Sequence, residues 1–216
     1  VNQVIRVLFR KQLVEKVSVI QMPKKRDYMH IDTIFTQVRR DCWVLLGTLS
    51  RRGVELETQD FFVEPLTDTL PAQELRIWQF HRDDPEQPTE FAYLEDLLSD
   101  VSTQDLGVTG EVRFVYSGNN EFPFGDREQW TDSCNVLALR EGVVIGYDRN
   151  DKTAEAFRAQ GFDVVDAADL LRDFEQGERE PEGVENTLIQ LPSAELSRAR
   201  GGSRCMSLPI WREAPE

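Results

Sequence analysis

The chain has 216 residues, a formal net charge of −14 and a hydrophobic content of 40%. This length is enough for one sizeable core or a small pair of domains. The negative charge argues against nucleic acid or an anionic membrane as a partner, because both repel acidic proteins. The sequence has no apolar run that could span a bilayer and no recognisable signal peptide, and its three cysteines follow no disulfide spacing. We therefore expect a protein of a reducing compartment, and a cytoplasmic location.

The first third of the chain is predicted to be rich in strands. Residues 4–13 have the pattern of the end of a helix, because their apolar positions recur at helical spacing. Strands are predicted over residues 17–20, 31–38, 43–48 and 54–63. The second and third of these strands surround the polar sequence Arg39-Arg40-Asp41, which predicts a hairpin.

The rest of the chain alternates between predicted helices and strands. Helices are predicted over residues 72–80, 91–101 and 153–160, the last ending at Gly161 as expected of a glycine that follows a helix. Strands are predicted over residues 112–116, 135–139, 143–147 and 162–165. The order strand, strand, helix, strand thus occurs about twice. Periodicity alone supports a mixed α/β fold.

A histidine and an aspartate lie two positions apart in the apolar sequence Met-His-Ile-Asp-Thr-Ile-Phe, residues 29–35. In a strand, His30 and Asp32 would share one face, with side chains about 7 Å apart. Met29, which precedes His30, and Ile31, which lies between His30 and Asp32, would take the other face. A lone histidine in an apolar strand is usually a structural group, but the neighbouring carboxylate favours a functional site.

The second informative segment is Arg200-Gly201-Gly202-Ser203-Arg204-Cys205-Met206-Ser207. It places a thiol just after a Gly-Gly pair that lets the backbone approach a ligand closely. A cysteine and a distant histidine are the pairing that nucleophilic catalysis requires. Arg200 and Arg204 either solvate the loop, favour the thiolate form of Cys205 or gate a pocket, and Arg200 is kept as a candidate site residue.

The remaining cysteines and the second histidine have simpler interpretations. Cys42 and Cys134 stand at the head of apolar strands, where we expect them to be packing residues. His81 lies in a stretch rich in proline and acidic residues and is expected to be exposed. Glycine-rich phosphate loops, zinc-ligand spacings and Ser-His-Asp patterns do not occur.

Three segments of the sequence resemble arginine deiminases, which belong to the guanidino-group-modifying superfamily. Residues 29–33 resemble the family's Met-His-Leu-Asp-Thr block, and residues 200–207 its Arg-Gly-Gly-x-x-Cys-Met-Ser block. Residues 126–132, followed by Asn-Val-Leu-Ala at 135–138, resemble its Arg-Glu-Gln-Trp segment, in which we expect Arg127 to Trp130 to form a structural corner. Two stretches, 63–105 and 166–190, look atypical or expanded relative to the family.

The resemblance implies an α/β-propeller built from ββαβ repeats around a pseudo-fivefold axis. The family also uses an aspartate, a Glu-Gly-Gly-Asp segment and arginines upstream of the His-x-Asp block, and none has a counterpart here. We therefore expect residues 1–216 to be the C-terminal portion of one catalytic propeller domain, with about two complete repeats and the end of a preceding one. We expect this segment alone to be inactive.

The resemblance also implies a reaction. Cys205 would be the nucleophile, His30 the general acid and base, and Asp32 a carboxylate that holds the guanidinium of L-arginine, with Arg200 as a further substrate-binding candidate. The products would be citrulline and ammonia, and the chemistry needs no metal and no organic cofactor. The sequence does not indicate an oligomeric state.

Two alternatives remain open. One is a sister activity on the same scaffold, such as an amidinotransferase or a deiminase of another guanidino compound. The other is a degenerate, non-catalytic module, against which the presence of His30, Asp32 and Cys205 together argues.

Overall fold

A computed structural model describes residues 1–24, 26–51 and 75–211. Within these ranges the chain is mixed α/β, and its strands form three sheets. The helices are α1 (Asn2–Arg10), α2 (Leu94–Asp100), α3 (Phe124–Trp130), α4 (Asp151–Ala159) and α5 (Ala167–Gln176). The strands are β1 (Lys16–Gln21), β2 (Phe35–Arg39), β3 (Cys42–Leu45), β4 (Arg76–His81), β5 (Thr89–Phe91), β6 (Arg113–Tyr116), β7 (Leu137–Arg140), β8 (Val143–Tyr147), β9 (Asp163–Asp166) and β10 (Thr187–Leu191).

The first sheet has the order β1-β4-β5 and is antiparallel throughout. It corrects one prediction, because the helix expected over residues 72–80 is a strand in its described part. Ile77 and Gln79 are buried while Arg76 is exposed, which is the period of two that a strand requires. Pairing with β1 on one side and β5 on the other outweighs the helical spacing of the sequence.

The second sheet has the order β2-β3-β6. β2 and β3 form the predicted antiparallel hairpin, and β6 lies parallel to β3. A parallel neighbour requires a crossover connection, and α2, within the predicted helix 91–101, lies in that connection. The predicted strand 54–63 lies outside the described residues.

The third sheet has the order β7-β8-β10-β9, with β7 antiparallel to β8 and the other pairs parallel. Its residues alternate between two buried environments. Val144 and Leu188 face the main core with Phe157 of α4, whereas Ile189 packs on the other face with Leu170 of α5. Helices on both faces account for the nearly continuous apolar character of β8.

The second and third sheets share one core. Buried side chains of β3, β6, β8, α2 and α4 belong to a single contiguous cluster. Most predicted strands and helices are confirmed with shifted ends, but α5 and β10 were not predicted. α5 has ordinary end signals, since the Asp166 carboxylate accepts from the Ala168 backbone N–H at 2.7 Å and Gly177 follows with a φ of 71°.

None of the helices within the described residues combines the length and apolar character needed to cross a membrane.

Candidate active site

His30 and Asp32 lie on a tight turn, not on a strand. Residues Ile31–Thr33 form one turn of 3₁₀ helix preceded by His30 in an extended conformation, and β2 begins only at Phe35. The predicted strand over residues 31–38 is therefore wrong at its start. Two positions along a 3₁₀ turn do not place side chains on one face as a strand does, so the expected separation of about 7 Å does not apply.

The turn is stabilised by Thr33. Its hydroxyl donates to the His30 carbonyl at 2.6 Å, and its backbone N–H donates to the same oxygen at 3.2 Å. A threonine side chain that bonds the local backbone in this way competes with strand pairing. The flanking Met29 and Ile31 are exposed and do not pack in the core.

The loop that carries Cys205 is attached to residues 132–135. The Gly201 N–H donates to the Asp132 carboxylate at 2.7 Å, and the Cys205 N–H donates to the Asn135 side-chain oxygen at 3.0 Å. A Cβ on Gly202 would lie 2.5 Å from the Asn135 carbonyl oxygen, so glycine is required there. The Gly-Gly pair thus permits close approach to the protein's own backbone.

Strand β8 holds the same loop from a second side. Tyr147 donates its hydroxyl to the Gly201 carbonyl at 2.9 Å, and Ser203 donates to the Ile145 carbonyl at 2.6 Å. Ser203 also accepts the Leu137 N–H at 3.2 Å. The position of Cys205 is therefore set by a hairpin that lies about 60 residues earlier in the chain.

These two segments converge. A ring nitrogen of His30, a carboxylate oxygen of Asp32 and the Cys205 sulfur all lie within 4.8 Å of one another. His30 and Cys205 are exposed, and Asp32 is partly buried. The arrangement brings together a thiol, an imidazole and a carboxylate, which is a set of groups that could supply nucleophilic and acid–base chemistry.

The electrostatic environment of Cys205 differs from the one that its flanking arginines suggest. Partial burial and the negative charges of Asp32 and Asp132 raise the pKa of the thiol above its ordinary value. Hydrogen bonds with Gly202 and Asn135 oppose this rise without cancelling it. The expectation that the arginines favour the thiolate is wrong for the site without a ligand, in which the thiol is the preferred form.

Arg200 forms ion pairs with two aspartates outside the three-residue cluster. Its guanidinium forms ion pairs with Asp27 at 3.1 Å and Asp132 at 3.6 Å, and it stacks on the Trp130 ring with its Cζ atom 4.8 Å from the ring centroid. Its side chain is only 10% exposed. Of the three interpretations of the arginines, a solvating role does not apply to Arg200.

Arg204 faces Asp32, with its Nε atom 3.9 Å from Asp32 Oδ2. Such a distance makes a weak ion pair, since more than half of the Arg204 side chain is exposed. Oδ1 of Asp32 is buried and has no hydrogen-bond partner among the described residues. The capacity of this carboxylate oxygen to accept a hydrogen bond is thus unused among the described residues.

Sequence reasoning gave no role to Asp132, Asn135 or Tyr147. Asp132 is buried beside Arg200 and Gly201, and burial raises its pKa. Asp132 and Asn135 lie within the segment that resembles the family, but nothing local shows that their partners lie in the Cys205 loop. Tyr147 carries no local signal, because it ends an apolar strand.

The segment Arg127 to Trp130 forms a structural corner. The Glu128 carboxylate is fully buried and accepts the backbone N–H groups of Lys152 at 2.9 Å and Thr153 at 2.8 Å. It therefore caps the first turn of α4 and stabilises the positive end of that helix.

The other thiols and the second histidine lie outside the cluster. Cys42 and Cys134 are buried, as expected of packing residues, and burial raises the pKa of the Cys42 thiol to about 12. His81 is half-buried on β4, so the expectation of an exposed loop residue is wrong.

The chain is similar to known proteins over most of its length. The family model described as "Arginine deiminase" matches residues 1–212. The chain is similar to arginine deiminase of Mycoplasma capricolum subsp. capricolum, with 32% identity over 92% of this chain and 36% of that protein. It is also similar to arginine deiminase of Staphylococcus aureus strains JH9 and Newman, with 30% identity over 92% of this chain and 38% of those proteins. The chain thus spans well under half the length of these curated relatives. A family match over nearly every residue, together with the meeting of His30, Asp32 and Cys205, shows that this chain belongs to the arginine deiminase family.

Proposed function

We propose that the protein hydrolyses L-arginine to L-citrulline and ammonia, with Cys205 as the nucleophile, His30 as the general acid and base, and Asp32 as a carboxylate that binds the guanidinium. The observation that carries the proposal is the approach of these three side chains to within 4.8 Å from segments more than 170 residues apart. Family membership supports the same activity.

The guanidinium carbon is deactivated by resonance and needs both a soft nucleophile and accurate alignment. The unpartnered oxygen of Asp32 accepts an N–H of the cation through a charge-assisted hydrogen bond, which holds the carbon next to the sulfur. The Cys205 thiolate then attacks this carbon and forms a C–S bond. The resulting tetrahedral species loses one nitrogen when His30 protonates it, and ammonia leaves.

Water completes the reaction. His30, now without its proton, takes a proton from a water molecule whose oxygen attacks the amidino carbon. Breakage of the C–S bond, with loss of the remaining hydroxyl proton to ammonia or solvent, releases citrulline and returns the thiolate. Each proton that His30 donates in the first half is thus recovered in the second half, and no oxidation occurs.

The raised pKa of Cys205 gives the substrate a second role. Without a ligand, partial burial together with the charges of Asp32 and Asp132 raises the pKa of Cys205, so the thiol form is favoured. A guanidinium bound between these carboxylates and the sulfur offsets their charge and favours ionisation. The reactive form therefore develops when a cation occupies the site, which limits reaction of the thiol with other electrophiles.

We propose that Arg200 binds substrate only after it releases one of its present ion-pair partners. It lies at the start of the Cys205 loop but is paired with Asp27 and Asp132. Contact with an anionic group of the substrate requires exchange of at least one of these pairs. We also propose L-arginine as the small-molecule partner and a cytoplasmic location.

The propeller architecture remains a proposal as well. Support comes from the second and third sheets, each of which has an antiparallel hairpin followed by a helix and a strand parallel to the hairpin's second strand. In the second sheet the connection to that parallel strand also contains β4 and β5. In the third sheet this order also contains β9 and α5. Residues 1–216 would then contribute about two repeats to one domain.

The test is a citrulline assay on the protein as its gene encodes it. Wild-type protein should form citrulline and ammonia in equal amounts, and Cys205→Ser should lose activity by at least about 10⁴-fold, as expected for removal of a covalent nucleophile. Asp32→Asn should lose both activity and arginine affinity, whereas Cys205→Ser should retain arginine binding in calorimetry.

Cys42→Ala is the matched control, because it removes a thiol outside the cluster. It should retain activity once its folding has been verified by circular dichroism. Formation of ornithine only when an acceptor amine is present would instead support the amidinotransferase alternative. Lack of any turnover and of any arginine binding by the wild-type protein would contradict the proposal and favour a non-catalytic module.

A further inference from the structure

The candidate active site also combines three different metal-ligand types. Among the residues that the structure describes, the donor atoms of His30, Asp32 and Cys205 all lie within 4.8 Å of one another. We propose that this cluster binds Zn²⁺ or a chemically similar divalent cation, and that the bound ion blocks the site. The ion is an inhibitor in this proposal, so the reaction itself still needs no metal.

The donor chemistry favours zinc over a harder ion. One sulfur, one imidazole nitrogen and one carboxylate oxygen are each common ligands of Zn²⁺, whereas Mg²⁺ and Ca²⁺ prefer oxygen ligands alone. Three protein ligands leave the fourth position of a tetrahedral ion for water, which suits a cluster that is open to solvent on one side.

The distances are compatible after a small adjustment. Bonds of about 2.0 to 2.3 Å in a tetrahedral site place ligand atoms roughly 3.3 to 3.6 Å apart. The most widely separated donor atoms, which now lie up to 4.8 Å apart, must therefore approach one another by roughly 1.2 to 1.5 Å. His30 and Cys205 are exposed, so rotation of their side chains meets little steric resistance.

The charges around the cluster also favour a cation. Oδ1 of Asp32 is buried without a hydrogen-bond partner in the described part of the chain, so the Asp32 carboxylate has an unmet capacity to bind a positively charged group. Asp132 adds a second negative charge close enough to Cys205 to affect it. Arg204 opposes binding, but it faces the other Asp32 oxygen, at 3.9 Å, and is largely exposed.

Competition with arginine rests on the proposed function. The ion would occupy the same sulfur and the same carboxylate oxygen that the guanidinium needs, so the two ligands exclude each other. Arginine should therefore raise the apparent dissociation constant of the metal, and the metal should raise the apparent KM for arginine. Metal binding itself does not depend on catalysis.

Cobalt provides a direct readout, because a Co²⁺ ion bound to a thiolate absorbs in the near ultraviolet. Titration of the reduced wild-type protein with Co²⁺ should produce this charge-transfer band at one ion per chain, and Zn²⁺ should abolish it. Cys205→Ser should lose the band. His30→Ala and Asp32→Asn should weaken binding at least about tenfold, as loss of one ligand from a three-ligand site requires.

Matched controls are His81→Ala and Asp83→Asn, which change the same residue types outside the cluster and should bind Co²⁺ as the wild type does. Absence of the band in wild-type protein, its persistence in Cys205→Ser, or equal weakening by His81→Ala would each overturn the proposal. A normal cobalt titration without arginine turnover would contradict only the proposed function. Turnover without a cobalt band would contradict only the metal site.

Discussion

The loop at residues 200–206 and the turn at residues 30–33 deliver side chains to one site but are positioned by different means. The hydrogen bonds of Gly201, Ser203 and Cys205 in the loop join residues that are 54 to 70 positions apart. The hydroxyl of Thr33 in the turn reaches only His30 and Asp27, three and six positions away. Cys205 is thus placed by tertiary contacts, whereas the placement of His30 and Asp32 depends more on local backbone structure.

This difference predicts unequal sensitivity to mutation. Changes in the supports of the loop should displace Cys205 and affect chemistry strongly. Changes in the local bonds of the turn should have smaller effects, because the covalent chain itself already keeps His30 and Asp32 close together.

The largest effect is expected for Gly202→Ala. The added Cβ would lie 2.5 Å from a backbone oxygen of Asn135, so the loop must shift by roughly 1 Å, which costs at least about 10²-fold in kcat/KM. Citrulline formation and thermal unfolding measure the result. Gly183→Ala is the control, since a Cβ there meets nothing within 4 Å. Wild-type kinetics in Gly202→Ala would show that the loop position is not determined by this contact.

The next largest effect is expected for Asn135→Ala. It removes the acceptor of the Cys205 N–H, a loss that costs about 1 to 3 kcal/mol in the free energy of unfolding. Activity should fall about tenfold or more with KM little changed, because the nucleophile moves while Asp32 stays in place. Denaturant titration and steady-state kinetics provide the measurements. A loss confined to KM would instead assign Asn135 to substrate binding.

A smaller effect is expected for Asp132→Asn, and it concerns the pKa of the Cys205 thiol. Removing the negative charge in Asp132→Asn should lower its pKa, because that charge disfavours the thiolate. The thiolate fraction of Cys205 at neutral pH should rise accordingly. The pH profile of alkylation by neutral iodoacetamide measures this shift, with peptide mapping to distinguish Cys205 from Cys42 and Cys134. An unchanged or higher midpoint would contradict the electrostatic explanation.

The smallest effect is expected for Thr33→Val, which keeps the shape of the side chain and removes its hydroxyl. The hydrogen bond with the His30 carbonyl is lost, at a cost of about 1 kcal/mol in the free energy of unfolding. Activity should fall only a few-fold. A loss as large as that of Gly202→Ala would abolish the distinction between the two segments.

Local patterns in the sequence were sufficient for much of the fold. The hairpins at β2–β3 and β7–β8 and helix α4 follow from apolar periodicity and from the residues that end them, which act over a few positions. The residues of the site were also named from the sequence, because His30, Asp32 and Cys205 occur in short motifs. α5 was missed although Asp166 and Gly177 mark its ends, since it lies in a stretch interpreted as a connection.

Tertiary structure decided what local patterns could not. β4 is a strand because β1 and β5 pair with it, although its residues also fit helical spacing. The pKa of Cys205 is raised by burial and by the charges of Asp32 and Asp132, which are distant in sequence. The neighbouring Arg200 and Arg204 suggest a lowered pKa instead. Residue type and spacing determine which groups are available for chemistry, but burial and charge at the site depend on contacts that form only when distant segments pack together.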